Sequence, residues 1–131
     1  MIRLVSLTTS ESSVDVPPRK DSAGDRQLFA SRLLNERRQF GKPKGAVVGS
    51  DRGTLTLTSA RSANLKAVAK LPGGTITADG PLRAAGNGAV SVVVVNGTGI
   101  FAGAHGTLTI LRPSGPKTAV NVYRLSYRPI A

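Results

Sequence analysis

Gly53-Thr54-Leu55-Thr56-Leu57-Thr58-Ser59 alternates aliphatic and hydroxylated side chains without a break. A β-strand turns successive side chains to opposite faces, so this period of two puts leucine on one face and threonine on the other. The same texture extends in both directions. Upstream, Lys44 to Ser50 reads as the strand that pairs with it, with Asp51-Arg52-Gly53 as turn chemistry. Downstream, Asn64 to Leu71 and Gly74 to Asp79 flank a tight turn at Pro72-Gly73. Ala89 to Val95, Gly106 to Leu111 and Ala119 to Tyr127 follow, separated by Asn96-Gly97-Thr98-Gly99 and Pro113-Ser114-Gly115-Pro116. At the start, Ile2 to Thr9 alternates, while residues 10–25 are polar, carry a Pro pair and read as a loop. Arg26 to Asn35 is a further strand. A short helix over Gln27 to Arg38 competes with it, and the flanking Gly24-Asp25 favours the strand. Roughly eight or nine strands with turn signals every ~8–12 residues define an all-β chain. A sandwich and a closed barrel both satisfy that pattern. Roughly eight strands is the number at which a barrel has room for its own side chains or one small ligand.

Composition narrows the chemistry. With 131 residues the chain makes a single domain spanning 1–131, in which 1–25 supply an N-terminal strand and a flexible loop and 26–131 the core. No cysteine is present, which excludes disulfides, thiolate metal sites and cysteine nucleophiles. A single histidine excludes multi-histidine zinc sites, so no metal is expected. The longest apolar run, Val92 to Val95, is far short of a membrane-spanning helix. Met1-Ile2-Arg3-Leu4-Val5-Ser6 lacks the apolar stretch of a signal peptide. The expectation is a cytoplasmic protein without a membrane partner, or a secreted one if Met1 replaces a removed signal.

Eighteen Lys and Arg against seven Asp and Glu give a net charge of +11. The excess is spread thinly: residues 1–44 hold nine bases and five acids, residues 45–131 nine bases and two acids. In Leu65-Lys66-Ala67-Val68-Ala69-Lys70-Leu71 the lysines fall on one strand face, which is an ordinary solvated face. Single-strand nucleic-acid binders add aromatic stacking platforms, and five scattered aromatics supply few. Specific nucleic-acid binding is therefore not expected. No phosphate loop, nucleophile elbow or dinucleotide fingerprint occurs.

Three segments in order carry a resemblance: Gly45-Ala46-Val47-Val48-Gly49-Ser50-Asp51-Arg52-Gly53-Thr54, Gly97-Thr98-Gly99-Ile100-Phe101-Ala102-Gly103-Ala104-His105-Gly106, and Asn121-Val122-Tyr123-Arg124-Leu125-Ser126-Tyr127. Gly74-Thr75-Ile76-Thr77-Ala78-Asp79-Gly80-Pro81 stands before the third. Over residues ~24–127 the chain resembles the allene oxide cyclase and dirigent superfamily, and the glycine-rich second segment is the most specific mark. The resemblance implies an eight-stranded antiparallel closed β-barrel of calycin type, a homo-oligomer (trimer or dimer), and a pocket for a small hydrophobic molecule. Bottom-up, Gly97 and Gly99 would turn the chain sharply before Phe101 plugs the barrel, with Gly103 and Gly106 giving a bend or bulge.

Function transfers less completely than fold. Plant cyclases of the superfamily carry a Glu and an Asn on the first strand, where this chain has Ser6 and Thr8, and use a cysteine that is missing here. Dirigent acids are replaced by Phe29-Ala30-Ser31-Arg32. His105 stands where relatives place a polar rim residue, and an imidazole there could move a proton or stabilise an oxyanion. Tyr123 and Tyr127 share a strand face with Asn121 and Leu125, pointing into the barrel or out of it; Arg124 on the opposite face favours the tyrosines inside. His105 and Tyr123 are thus the catalytic candidates. Ser6, Thr8, Phe29, Phe101, Asn121 and Tyr127 are the candidates for substrate contact. Asp51 and Asp79 read first as turn residues. The expected activity is a cofactor-free cyclase or isomerase of secondary metabolism. A dirigent-like, non-catalytic binding or stereo-directing protein is the alternative, and a basic interaction protein the third reading.

Overall fold

A computed structural model describes residues 1–14, 24–59, 62–111 and 118–127. The strands are β1 (Ile2–Val14), β2 (Arg26–Asn35), β3 (Val47–Ser59), β4 (Ser62–Leu71), β5 (Gly74–Pro81), β6 (Arg83–Ala84), β7 (Val90–Gly97), β8 (Ala104–Leu111) and β9 (Thr118–Tyr127). They form one sheet in the order β5-β4-β3-β2-β1-β9-β8-β7-β6, and β5 pairs with β7 to close it. Eight antiparallel strands make the ring, and two-residue β6 is an appendage on β7. The sandwich alternative is removed by that closing pair, in which Ile76 meets Gly97 and Ala78 meets Val94.

Several expected boundaries shift. β2 spans Arg26 to Asn35 as a strand, so the competing helix does not form. The two strands expected at Lys44 to Ser50 and Gly53 to Ser59 are one continuous β3, with Asp51-Arg52-Gly53 in its interior rather than in a turn. β1 runs on to Val14, into the stretch expected as a loop, because pairing with β2 continues beyond a bulge. The rest of that loop, residues 15–23, lies outside the described residues, as does the Pro113-Ser114-Gly115-Pro116 connection. Asp79-Gly80-Pro81 ends β5, with Asp79 exposed and opposite Lys66. No helix among the described residues is long and apolar enough to cross a membrane.

One end of the barrel is closed by aliphatic packing. Leu4, Leu33, Leu71, Ile76, Val94 and Ala104 are all buried there, and a single 3-10 turn at Gly99–Phe101 tucks Phe101 among them at 3% exposure. Gly97 and Gly99 are required for different reasons. Gly99 adopts φ 63°, a left-handed backbone. Gly97 does not, contrary to expectation; its need is room, since an added Cβ would overlap the Phe101 carbonyl. The same end is braced by the β2–β3 connection. Asn35 is 1% exposed, and its Nδ2 donates to the carbonyls of Gln39, Lys42 and Pro43 at 2.9, 3.1 and 3.3 Å. Gln39 in turn donates to and accepts from the Arg3 backbone, while Arg3 pairs with Glu36 at 2.7 Å. Polar groups withdrawn from water are thus satisfied.

Candidate functional site

The lumen above this plug is not filled. A cavity of about 150 Å³ remains, walled by Phe29, Leu55, Leu65, Leu82, Leu108 and Ile110. Cavities of roughly that volume take up a benzene-sized guest. Its polar lining is the informative part. Five polar residues are buried among the described residues: Ser6, Ser31, Asn35, Asp51 and Asn121. Asn35 supports the closed end, and the other four all line the cavity.

Register explains the gathering. Ser31 and Asp51 are opposite partners on β2 and β3, and Asp51 is flanked on its other side by Ala69 of β4. Asn121 sits between Leu4 of β1 and Ile110 of β8, and Tyr123 between Ile2 and Leu108. Cross-strand partners share a face, so serine, carboxyl and amide point inward together. Room at this level comes partly from Gly53, the partner of Phe29; a Cβ there would lie 2.7 Å from Phe29 Cζ and 2.6 Å from the Lys66 carbonyl oxygen.

Asp51 is 7% exposed, and its Oδ1 is a buried side-chain oxygen with no hydrogen-bond partner. Burial pushes its carboxyl up to about 6, and the hydrogen bond from Ser31 opposes part of that rise. An orphaned, buried carboxyl oxygen is costly, and such groups cluster where a protein uses them. Tyr123, at 2% exposure, has its phenol pushed up chiefly by burial and then by the nearby Asp51 charge, while a hydrogen bond with the Asn121 side chain works the other way. Its hydroxyl therefore stays neutral behind Asn121. Nothing among the described residues groups His, Asp and Glu in a way that would hold a metal ion.

The expected site residues divide. Ser6, Thr8, Phe29 and Asn121 line the cavity together. Tyr123 points inward but lies behind the lining, packed in the core. Phe101 belongs to the plug, and Tyr127 is 51% exposed at the strand end. His105 does not reach the cavity. On β8 the inward positions are Leu108 and Ile110, so His105 falls on the opposite parity, beside exposed Ser126. The two carboxylates of the lining, Asp51 and Glu11, were not among the expected site residues. Asp51 had a signal in the sequence: continuing the Thr–Leu alternation upstream puts Asp51 and Gly53 on the leucine face of β3. Glu11 had none, because a bulge decides its direction.

No family model matches the chain, and no curated protein matches it in sequence. Solved structures do. One described as a pyocyanin demethylase superposes with a TM-score of 0.77 at 20% identity, covering 95% of this chain and 98% of that one. The pterocarpan synthase dirigent protein GePTS1 superposes with a TM-score of 0.65 at 18% identity, covering 92% and 78%. This chain has the dirigent-like barrel fold. At such identities the dirigent-like barrel is what is shared, and the chemistry has to come from the lining just described.

Proposed function

We propose that this dirigent-like barrel takes a small, largely apolar molecule into its lumen and carries out a cofactor-free isomerisation or ring closure there, with Asp51 moving the proton. One observation carries the reading: a carboxyl with a free oxygen sits in an otherwise mostly apolar hollow. A carboxyl pushed up to about 6 gains and loses its proton near neutral pH, where a general acid–base group works best. Ionised, Asp51 takes a proton from a carbon next to an activating carbonyl. Neutral, it returns that proton to a second atom, so the carboxyl is regenerated and nothing else is consumed. The Asn121 amide is the donor for charge that develops on the substrate oxygen, and Tyr123 is a positioning residue that holds Asn121. The walls keep the guest in its reactive shape, an effect worth several kcal/mol and up to about 7–11 kcal/mol at its best. The names of the two similar structures both concern small organic molecules, which supports a guest of that kind.

The alternative is a dirigent-like protein that holds and orients its guest without proton transfer. A lumen with so few ionisable groups favours it. Solvent deuterium exchange into small enolisable cyclic ketones, followed by NMR, separates the two. The wild-type protein speeds exchange, increasingly as pH rises through about 6, and Asp51→Asn removes the effect. Bound ketone with no acceleration leaves the stereo-directing reading, and failure of any ketone to bind sinks both.

A further inference from the structure

The outer surface and the lumen of this protein carry opposite charge. The chain is strongly basic at +11, yet no Lys or Arg among the described residues lines the cavity. Its charged lining consists of Asp51 at depth and Glu11 nearer the mouth. Glu11 is there because of one irregularity. In β1, Ser6 and Thr8 face inward, and unbroken alternation would send Ser10 and Ser12 in and Glu11 out. The pairing with β2 slips between Thr8 and Ser10, which pair with Ser31 and Ala30, leaving Thr9 over. Thr9 fastens the slip by donating from Oγ1 to the Ala30 carbonyl at 3.2 Å. Beyond the bulge parity is reversed, so Glu11 lines the cavity opposite Phe29.

We propose that the lumen selects its guest by charge: a one-ring molecule bearing an ammonium, amidinium or similar N–H donor, received by the free Oδ1 of Asp51, with Glu11 drawing the cation through the mouth. This rests on the lumen being the binding site, as argued above, and names the guest class for the holding-and-orienting reading, since an N–H donor seated on Asp51 occupies the carboxylate that proton transfer would use. Apolar walls strengthen the preference, since low-permittivity surroundings focus the field of the two carboxylates. A donor on the guest also supplies the hydrogen bond that Asp51 Oδ1 lacks within the protein. The overall charge pulls the other way and would favour anions, so a preference for cations can only arise inside.

Benzylamine, toluene and benzoate share one ring and differ in charge, and their binding is measured on the intact chain at about pH 8, where Asp51 is ionised and the amine still protonated. Methyl NMR shifts of Leu108 and Ala119, both lining residues, report entry to the lumen. The expected result is benzylamine about tenfold tighter than toluene, with benzoate weakest. Asp51→Asn brings benzylamine to the level of toluene, and Glu11→Gln, at an exposed position, removes part of the gain. Benzoate binding as tightly as benzylamine overturns the proposal, as does a cation preference that survives both substitutions. If toluene enters and benzylamine has no advantage, the charge selection alone fails. If none of the three shifts the lumen methyls, the binding-site reading fails with it.

Discussion

Ser31 and Asp51 face each other across β2 and β3, and the serine hydroxyl hydrogen-bonds a carboxyl that is otherwise withdrawn from water. The folded protein therefore holds the Asp51 proton up to about 6, whereas the unfolded chain releases it near 3.8. Between those values the folded state binds more protons, so stability falls as pH rises. The favourable contribution is complete below about 3.8 and lost above about 6, and its full size is about 3 kcal/mol. Urea midpoints of wild type and Asp51→Asn, compared in acid and at neutral pH, are expected to diverge in favour of the variant as pH rises. A gap that stays constant refutes the assignment.

Tyr123 is expected to stay un-ionised for as long as the barrel is folded, because burial and the Asp51 charge both oppose a phenolate. In a Tyr127→Phe background it is the sole tyrosine. Its ultraviolet ionisation should then coincide with alkaline unfolding followed by circular dichroism. Ionisation well ahead of unfolding would place the hydroxyl in water.

Gly97→Ala puts a methyl group into the Phe101 carbonyl, with backbone on both sides of the clash. The loss expected is about 2 kcal/mol or more, read as a lowered urea midpoint. Gly41→Ala is a useful comparison, since φ 70° there adds backbone strain but no atom lies within 4 Å. It is expected to cost about 1 kcal/mol.

Asn35→Ala leaves the Gln39, Lys42 and Pro43 carbonyls without their shared donor and opens a buried hole. About 2–3 kcal/mol of stability is expected to go. Hydrogen exchange should quicken at Gly45 and Ala46, whose amides are held in that connection.

His105→Ala is expected to change neither guest binding nor ketone exchange beyond about twofold, because the ring lies outside the cavity. A larger loss in calorimetric affinity would mean that the outer face of β8 takes part in the site after all.

Much of the framework was readable along the chain. β2 begins and ends where its alternation does, and Pro72-Gly73 turns the chain between β4 and β5. The glycine element does deliver Phe101 to the plug, though Gly97 works by leaving space and only Gly99 by its backbone angle. The site was harder. Ser6, Thr8, Phe29 and Asn121 were recoverable from strand parity, but Asp51 was hidden by its neighbours: Asp-Arg-Gly suits a turn as well as a strand, and local preference cannot tell them apart. Only continuous pairing of β3 with β2 and β4 makes that tripeptide extended.

What the chain settles by itself is the period of two, turns such as Pro72-Gly73, and an interior built mainly from aliphatic rather than aromatic side chains. These depend on neighbouring residues alone, because a side chain's face follows from its position in the strand. Closure through β5 and β7, the inward swing of Glu11 and the isolation of the Asp51 carboxyl were decided in three dimensions. Each depends on register between strands distant in sequence, and a slip of one residue reverses every face beyond it.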